Sequence, residues 1–214
     1  MTALLGAFRR ERNGAVADSM CYYGRSYGLN YGVSLPTLRR LARAEGTDHA
    51  FARYLYLQDV RELRLAAFHI ADPDLVTPEE FAFWGDGLLN SEMAEEGAFA
   101  LLSRLSVLPE LFACWTDPAA DWLRSYAALM AAARAADPRA AGIPETTDPC
   151  PRAAVAECRE RSLLARGAVA ALVHAGSLNE ENRQLVHHAA GSLGSLPAED
   201  FVHEELAWRL DPQY

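Results

Sequence analysis

Three alanine-rich segments, RELRLAAFHIA (61–71), EEGAFALLSRL (95–105) and RSYAALMAAARA (124–135), recur about thirty residues apart. Each follows a segment with an aromatic cluster: FARYLYL (51–57), FAFWGDGLL (81–89) and LFACWTD (111–117). Paired helices at a fixed period bury their apolar faces only against neighbouring pairs, which is the signature of an α-solenoid. A compact helical bundle is the alternative arrangement. Strand-like alternation of β-branched residues is nearly absent, so the expected class is all-α: a helical-repeat solenoid, or α-α superhelix.

Helix-start signals support this. TPEE (77–80) offers Thr77 as cap, Pro78 in the first turn and Glu80 to complete a capping box. SLPT (34–37) repeats the pattern with Ser34 and Pro36, and TDPAAD and SLPAED give two further starts. Helices are expected near 2–11, 14–24, 35–45, 48–57, 60–71, 77–89, 92–105, 109–115, 118–136, 152–175, 180–193 and 197–209. All of 1–214 is read as one repeat domain, interrupted by a proline-rich loop at 137–153.

Composition narrows function. The net charge is -9, yet all twenty basic residues are arginine and ten of them fall in residues 1–64, against six acids there. The first third is thus net +4 and residues 65–214 net -13. An acidic total argues against nonspecific coating of DNA, whereas a local arginine face suits bidentate phosphate contacts. Six of the eight tyrosines (Tyr22, Tyr23, Tyr27, Tyr31, Tyr54, Tyr56) interleave with Arg25, Arg39, Arg40, Arg43 and Arg53. That mixture either clamps a phosphate backbone and stacks on bases, or packs tyrosines beneath arginine stems.

The four cysteines (Cys21, Cys114, Cys150, Cys158) form no CxxC pair, and four unpaired, mostly buried thiols are expected. No cofactor and no metal site are expected; His187 and His188 are adjacent and point about 100° apart on a helix. GSLGSL (191–196) lacks the spacing of a phosphate loop. No apolar run reaches the roughly 20 residues that cross a bilayer, and the N-terminus is not built like a signal peptide, so a cytoplasmic protein is expected.

NSEMAEEGA carries Glu92, Glu95 and Glu96. Glu92 and Glu96 share a helix face at i, i+4, where mutual repulsion could raise one pKa toward proton-transfer chemistry. Their place in the first turns of a helix, where the dipole favours anions, is the structural alternative.

YGLNYGVSLPTLRRLAR (27–43) resembles the N-terminal signature of the AlkD-type DNA alkylation repair glycosylases through Tyr31, Gly32, Val33, Pro36, Arg39 and Leu41. LYLQDVRELRLAAFHIA (55–71) and DWLRSYAALM (121–130) are similar to further segments of that family. The resemblance implies HEAT-like helical pairs, duplex DNA held on a concave basic face, and hydrolysis of the glycosidic bond of cationic alkylated purines. An acid stabilises the sugar cation there, tryptophans line the sugar and an arginine holds the DNA. The family's tryptophan and aspartate, four residues apart, fall on Glu92 and Glu96; its arginine falls on Ser125, beside Arg124; and its second tryptophan falls on Ser192. The resemblance thus assigns Glu96 as catalytic acid with Glu92 assisting, and Arg124, Arg39 and Arg43 as DNA contacts. Leu35, Leu38 and Leu41 are expected to face the core, turning Arg39 and Arg43 outward together. The alternatives are a noncatalytic scaffold for a protein partner, consistent with the acid-rich 65–214, and DNA binding without cleavage.

Overall fold

A computed structural model describes residues 1–23, 27–117, 119–135, 158–191, 193–194 and 196–210; of residues 158, 159 and 161 it describes the backbone alone. Twelve α-helices and three 3-10 turns make up the described residues, with no strand beyond one isolated bridge, so the expected all-α class is found. The chain divides into two compact units, Met1–Leu101 and Leu102–Tyr214.

The first unit holds α1 (Thr2–Arg10), α2 (Gly14–Tyr22), α3 (Leu35–Ala44), α4 (His49–Tyr56), α5 (Arg61–Ile70), α6 (Phe81–Asp86) and α7 (Ser91–Ala100). Helix α5 is its centre, packing on α3, α4 and α7. Eight of its ten residues are buried, from Arg61 and Glu62 to Ile70. Tyr56, Phe68, Phe83 and Trp84 form one aromatic core with ring centroids 4.8–5.9 Å apart. The buried Tyr56 hydroxyl donates to the Trp84 carbonyl at 2.6 Å, meeting the rule that buried phenols find a partner. Gly97 lets α7 approach Phe68, where an added Cβ would sit 3.1 Å from the ring.

Ser34 caps α3 as expected, accepting from the Thr37 amide. Before it, residues 27–34 run beside the start of α5: the Leu29 amide donates to the Asp59 carbonyl (3.0 Å) and the Arg61 amide to the Leu29 carbonyl (2.8 Å). Gly32 turns there with φ +69°, and a Cβ would collide with the Asn13 carbonyl. Glycine is therefore required twice over, by conformation and by space.

The second unit holds α8 (Leu108–Trp115), α9 (Trp122–Ala132), α10 (Cys158–Gly176), α11 (Glu180–Ala190) and α12 (Pro197–Leu210). Helix α9 lies between α8 and α10, and α10 packs also on α11 and α12. Gly167 brings α10 against Tyr126 and Leu129 of α9.

Several boundaries differ from the sequence expectation for local reasons. At 77–80 no capping box forms; Pro78–Glu80 is a 3-10 turn before α6, and Glu80 instead accepts from Arg53, His49 and Trp84. Helix α7 stops at Ala100 and a 3-10 turn takes over at Leu102–Arg104. Helix α9 begins at Trp122 rather than 118, because Asp121 captures the Leu123 amide while Asp117 holds the Ala119 amide in a separate turn. Cys21 and Cys114 are exposed, against the expectation of buried thiols, since α2 buries no residue and Cys114 lies on the outer side of α8. The loop at 137–153, Cys150, Ser192 and the Cys158 side chain lie outside the described residues.

Candidate functional site

Helix α7 presents the candidate acids. Asn90 caps it by accepting from the Met93 amide, which fixes the register that points Glu92 and Glu96 inward. Both are 3% exposed.

Glu96 sits where α3, α5 and α7 meet. Arg39 of α3 donates Nε to Oε1 at 2.8 Å and Nη2 to Oε2 at 2.6 Å, a bidentate pair. His69 of α5 places Nε2 at 2.6 Å from Oε1. Burial alone would raise the Glu96 pKa, but the hydrogen bonds from Arg39 and His69 and their charge outweigh it and hold the carboxyl down at about 2. The Arg39 guanidinium also lies 4.4 Å from the Phe99 ring centroid, one turn along α7 from Glu96.

Glu92 belongs to a second, deeper network. Arg61 donates Nε to Oε2 (2.9 Å) and Nη2 to Oε1 (2.7 Å), and the Tyr27 hydroxyl stands 2.7 Å from Oε2. The remaining Arg61 Nη1 donates to the Val33 carbonyl (2.9 Å) and to Glu62 Oε1 (3.0 Å). Glu62 in turn accepts the Tyr31 and Val33 amides at 3.2 Å each. Burial would lower the Arg61 pKa, but Glu92 and Glu62 more than offset it and keep the guanidinium charged. Burial beside the Glu92 carboxylate drives the Tyr27 phenol strongly upward, so it stays neutral.

Two corrections follow. Glu96 is not raised by its neighbour Glu92: burial would raise it, but Arg39 and His69 hold it below the ordinary carboxylate value. Arg39 and Arg43 do not point outward together: Arg39 turns to Glu96, while Arg43 in the last turn of α3 is exposed. The described residues thus bring Glu96 and Arg39 together and leave Glu92 on Arg61. Arg124 lies half-buried on α9 in the second unit. Its neighbour Ser125 is buried and donates to the Trp115 carbonyl at 2.8 Å. The tyrosines divide: Tyr22, Tyr23 and Tyr54 are exposed, Tyr56 is core, Tyr27 joins Glu92, and the Tyr31 hydroxyl accepts from Arg9 Nε at 3.0 Å.

Sequence reasoning missed Arg61, Glu62, His69 and Phe99, and named Tyr27 without its partner Glu92. One signal was available: Arg61 and Glu62 stand one turn before Leu65 and Ala66, so a helix that buries the latter pair also buries the charged one. Among the described residues no group of three or more His, Cys, Asp and Glu could hold a metal, and no helix is long and apolar enough to cross a membrane.

Comparison with known proteins places this scaffold. The family model for DNA alkylation repair enzymes matches residues 4–171, and the chain belongs to that family. Its fold is similar to a solved structure from a new family of proteins related to the HEAT-like repeat DNA glycosylases with affinity for branched DNA structures. The two share 14% identity over 98% of this chain and 95% of the other, with a TM-score of 0.69. A search of curated proteins gives no match.

Proposed function

We propose that this protein binds DNA, branched structures foremost, and does not cleave the glycosidic bond of alkylated purines. The observation that carries this is the occupation of Glu96. A carboxylate that stabilises a sugar cation must have its charge facing the sugar, in a dry site where that charge counts. Both Glu96 oxygens accept from an arginine fork, His69 adds a third contact, and the side chain is 3% exposed. Its charge is spent on α3 and α5. Glu92, the assisting acid by resemblance, is likewise held by Arg61 and Tyr27.

DNA binding draws support from family membership and from the branched-DNA affinity described for the structural relative. Arg43, Arg40 and Arg124 are the proposed phosphate contacts, and residues 1–214 are treated as one functional domain. The exposed Arg40, whose carboxylate partner Glu11 lies 3.9 Å away, retains most of its capacity for phosphate.

The test is release of 3-methyladenine or 7-methylguanine from methylated duplex DNA, with wild type beside Glu96→Gln. No release by either protein is expected. Release by wild type that Glu96→Gln abolishes would restore Glu96 as a catalytic acid.

A further inference from the structure

The Nε–Nη2 edge of Arg39, the fork that would grip two phosphate oxygens side-on, already grips Glu96. What Arg39 leaves open is a plane. Its side chain is 32% exposed, it lies over Phe99 at 4.4 Å, and Phe99 is itself 39% exposed. His69 meets the Phe99 ring edge-on with centroids 6.4 Å apart. Glu96 and His69 therefore hold a guanidinium and a phenyl ring together at the surface of the first unit, in fixed orientation. Phe99 is the exposed position in a turn of α7 whose other residues, Gly97, Ala98 and Ala100, are buried, and it lies outside the aromatic core of Phe68, Tyr56 and Trp84.

We infer that Arg39 and Phe99 form a stacking platform for an unpaired nucleobase. Aromatic rings and guanidinium planes both stack on bases, irrespective of base identity. Bases inside a duplex are stacked on one another and cannot reach such a platform, whereas those at a branch point are free to swing onto it. The platform thus gives a physical reason for preferring branched over linear DNA. It also gives the Glu96–His69 pair a task other than hydrolysis: orienting the Arg39 plane. The inference rests on the DNA-binding function proposed above and names the residues and the part of the DNA they take.

A thermodynamic cycle tests it. Wild type, Phe99→Ala and Phe99→Leu are titrated against a three-way junction with unpaired thymines at the branch point. The same junction with abasic sites in place of those thymines completes the cycle. Stacking on an aromatic side chain predicts that Phe99→Ala weakens binding to the thymine junction by roughly 5- to 160-fold. Phe99→Leu, apolar but not planar, behaves like Phe99→Ala. The abasic junction binds wild type as weakly as the thymine junction binds the variants, and the variants do not distinguish the two. Thermal melting of each variant shows that the exposed substitution leaves the fold intact. Wild type binding both junctions equally, or losses that simply add, would overturn the platform while leaving DNA binding standing. Failure of wild type to bind any junction or duplex would overturn the function and the platform together.

Discussion

At the scale of single residues, Glu96 and Glu92 make different demands on pH and on substitution. The Glu96 carboxyl is held at about 2, below its ordinary value of 4.5, by Arg39 and His69. A carboxyl depressed on folding stabilises the protein fully above its unfolded pKa, and the contribution fades as pH falls toward the folded one. Melting temperatures of wild type and Glu96→Gln should therefore differ most above about pH 4.5 and converge as the pH drops to 2. A gap that stays constant over that range would mean that the charge of Glu96 does not hold the three helices. Arg61 is the harsher case, being fully buried with two carboxylates around it. Arg61→Met leaves Glu92 and Glu62 buried without their cation, and breaking a buried pair from one side costs about 3–5 kcal/mol. Denaturant unfolding should show a loss of that size, and a change below about 1 kcal/mol would show that water or a rearranged partner replaces the guanidinium.

At the scale of elements, caps set where helices begin. Ser34 accepts from the Thr37 amide and leads α3 out of the tight turn at Gly32. Ser34→Ala should cost about 1 kcal/mol, read as a shift in unfolding midpoint with unchanged slope. Caps and periodicity were legible in the sequence where they are local: Ser34 and the alanine-rich stretches of α5 and α9 announce their helices within a few positions. Glu80 was misread because its partners, Arg53 and His49, arrive from α4, about thirty residues away. The same applies to the site. The pairing of Glu92 with Glu96 on one face was correct as spacing, yet the chemistry of each acid is set by Arg61, Arg39 and His69 from other helices. No spacing rule within α7 reports those partners. Within the family signature at 27–43, Tyr31 and Val33 mark scaffold, since their amides are spent on Glu62.

At the scale of the whole molecule, the proposed DNA binding by a chain of net charge -9 requires a restricted set of arginines. Phosphate contacts release counterions, so affinity should fall steeply with salt, at a slope of about 0.9 per phosphate neutralised on duplex DNA. Replacing exposed Arg43 with glutamine should lower that slope by about one contact without altering base-dependent discrimination, and an unchanged slope would remove Arg43 from the interface. The acid-rich stretch 65–214, net -13, supports the rival of a protein ligand, and only DNA titration separates the two. The most direct measurement is fluorescence anisotropy of the wild-type protein titrated into a labelled three-way junction and a linear duplex of matched sequence at moderate salt. Saturable junction binding at least about tenfold tighter than duplex binding is the predicted result, consistent with one or two stacked bases at the branch. Equal affinity for the two forms, or no binding to either, would contradict the proposed function.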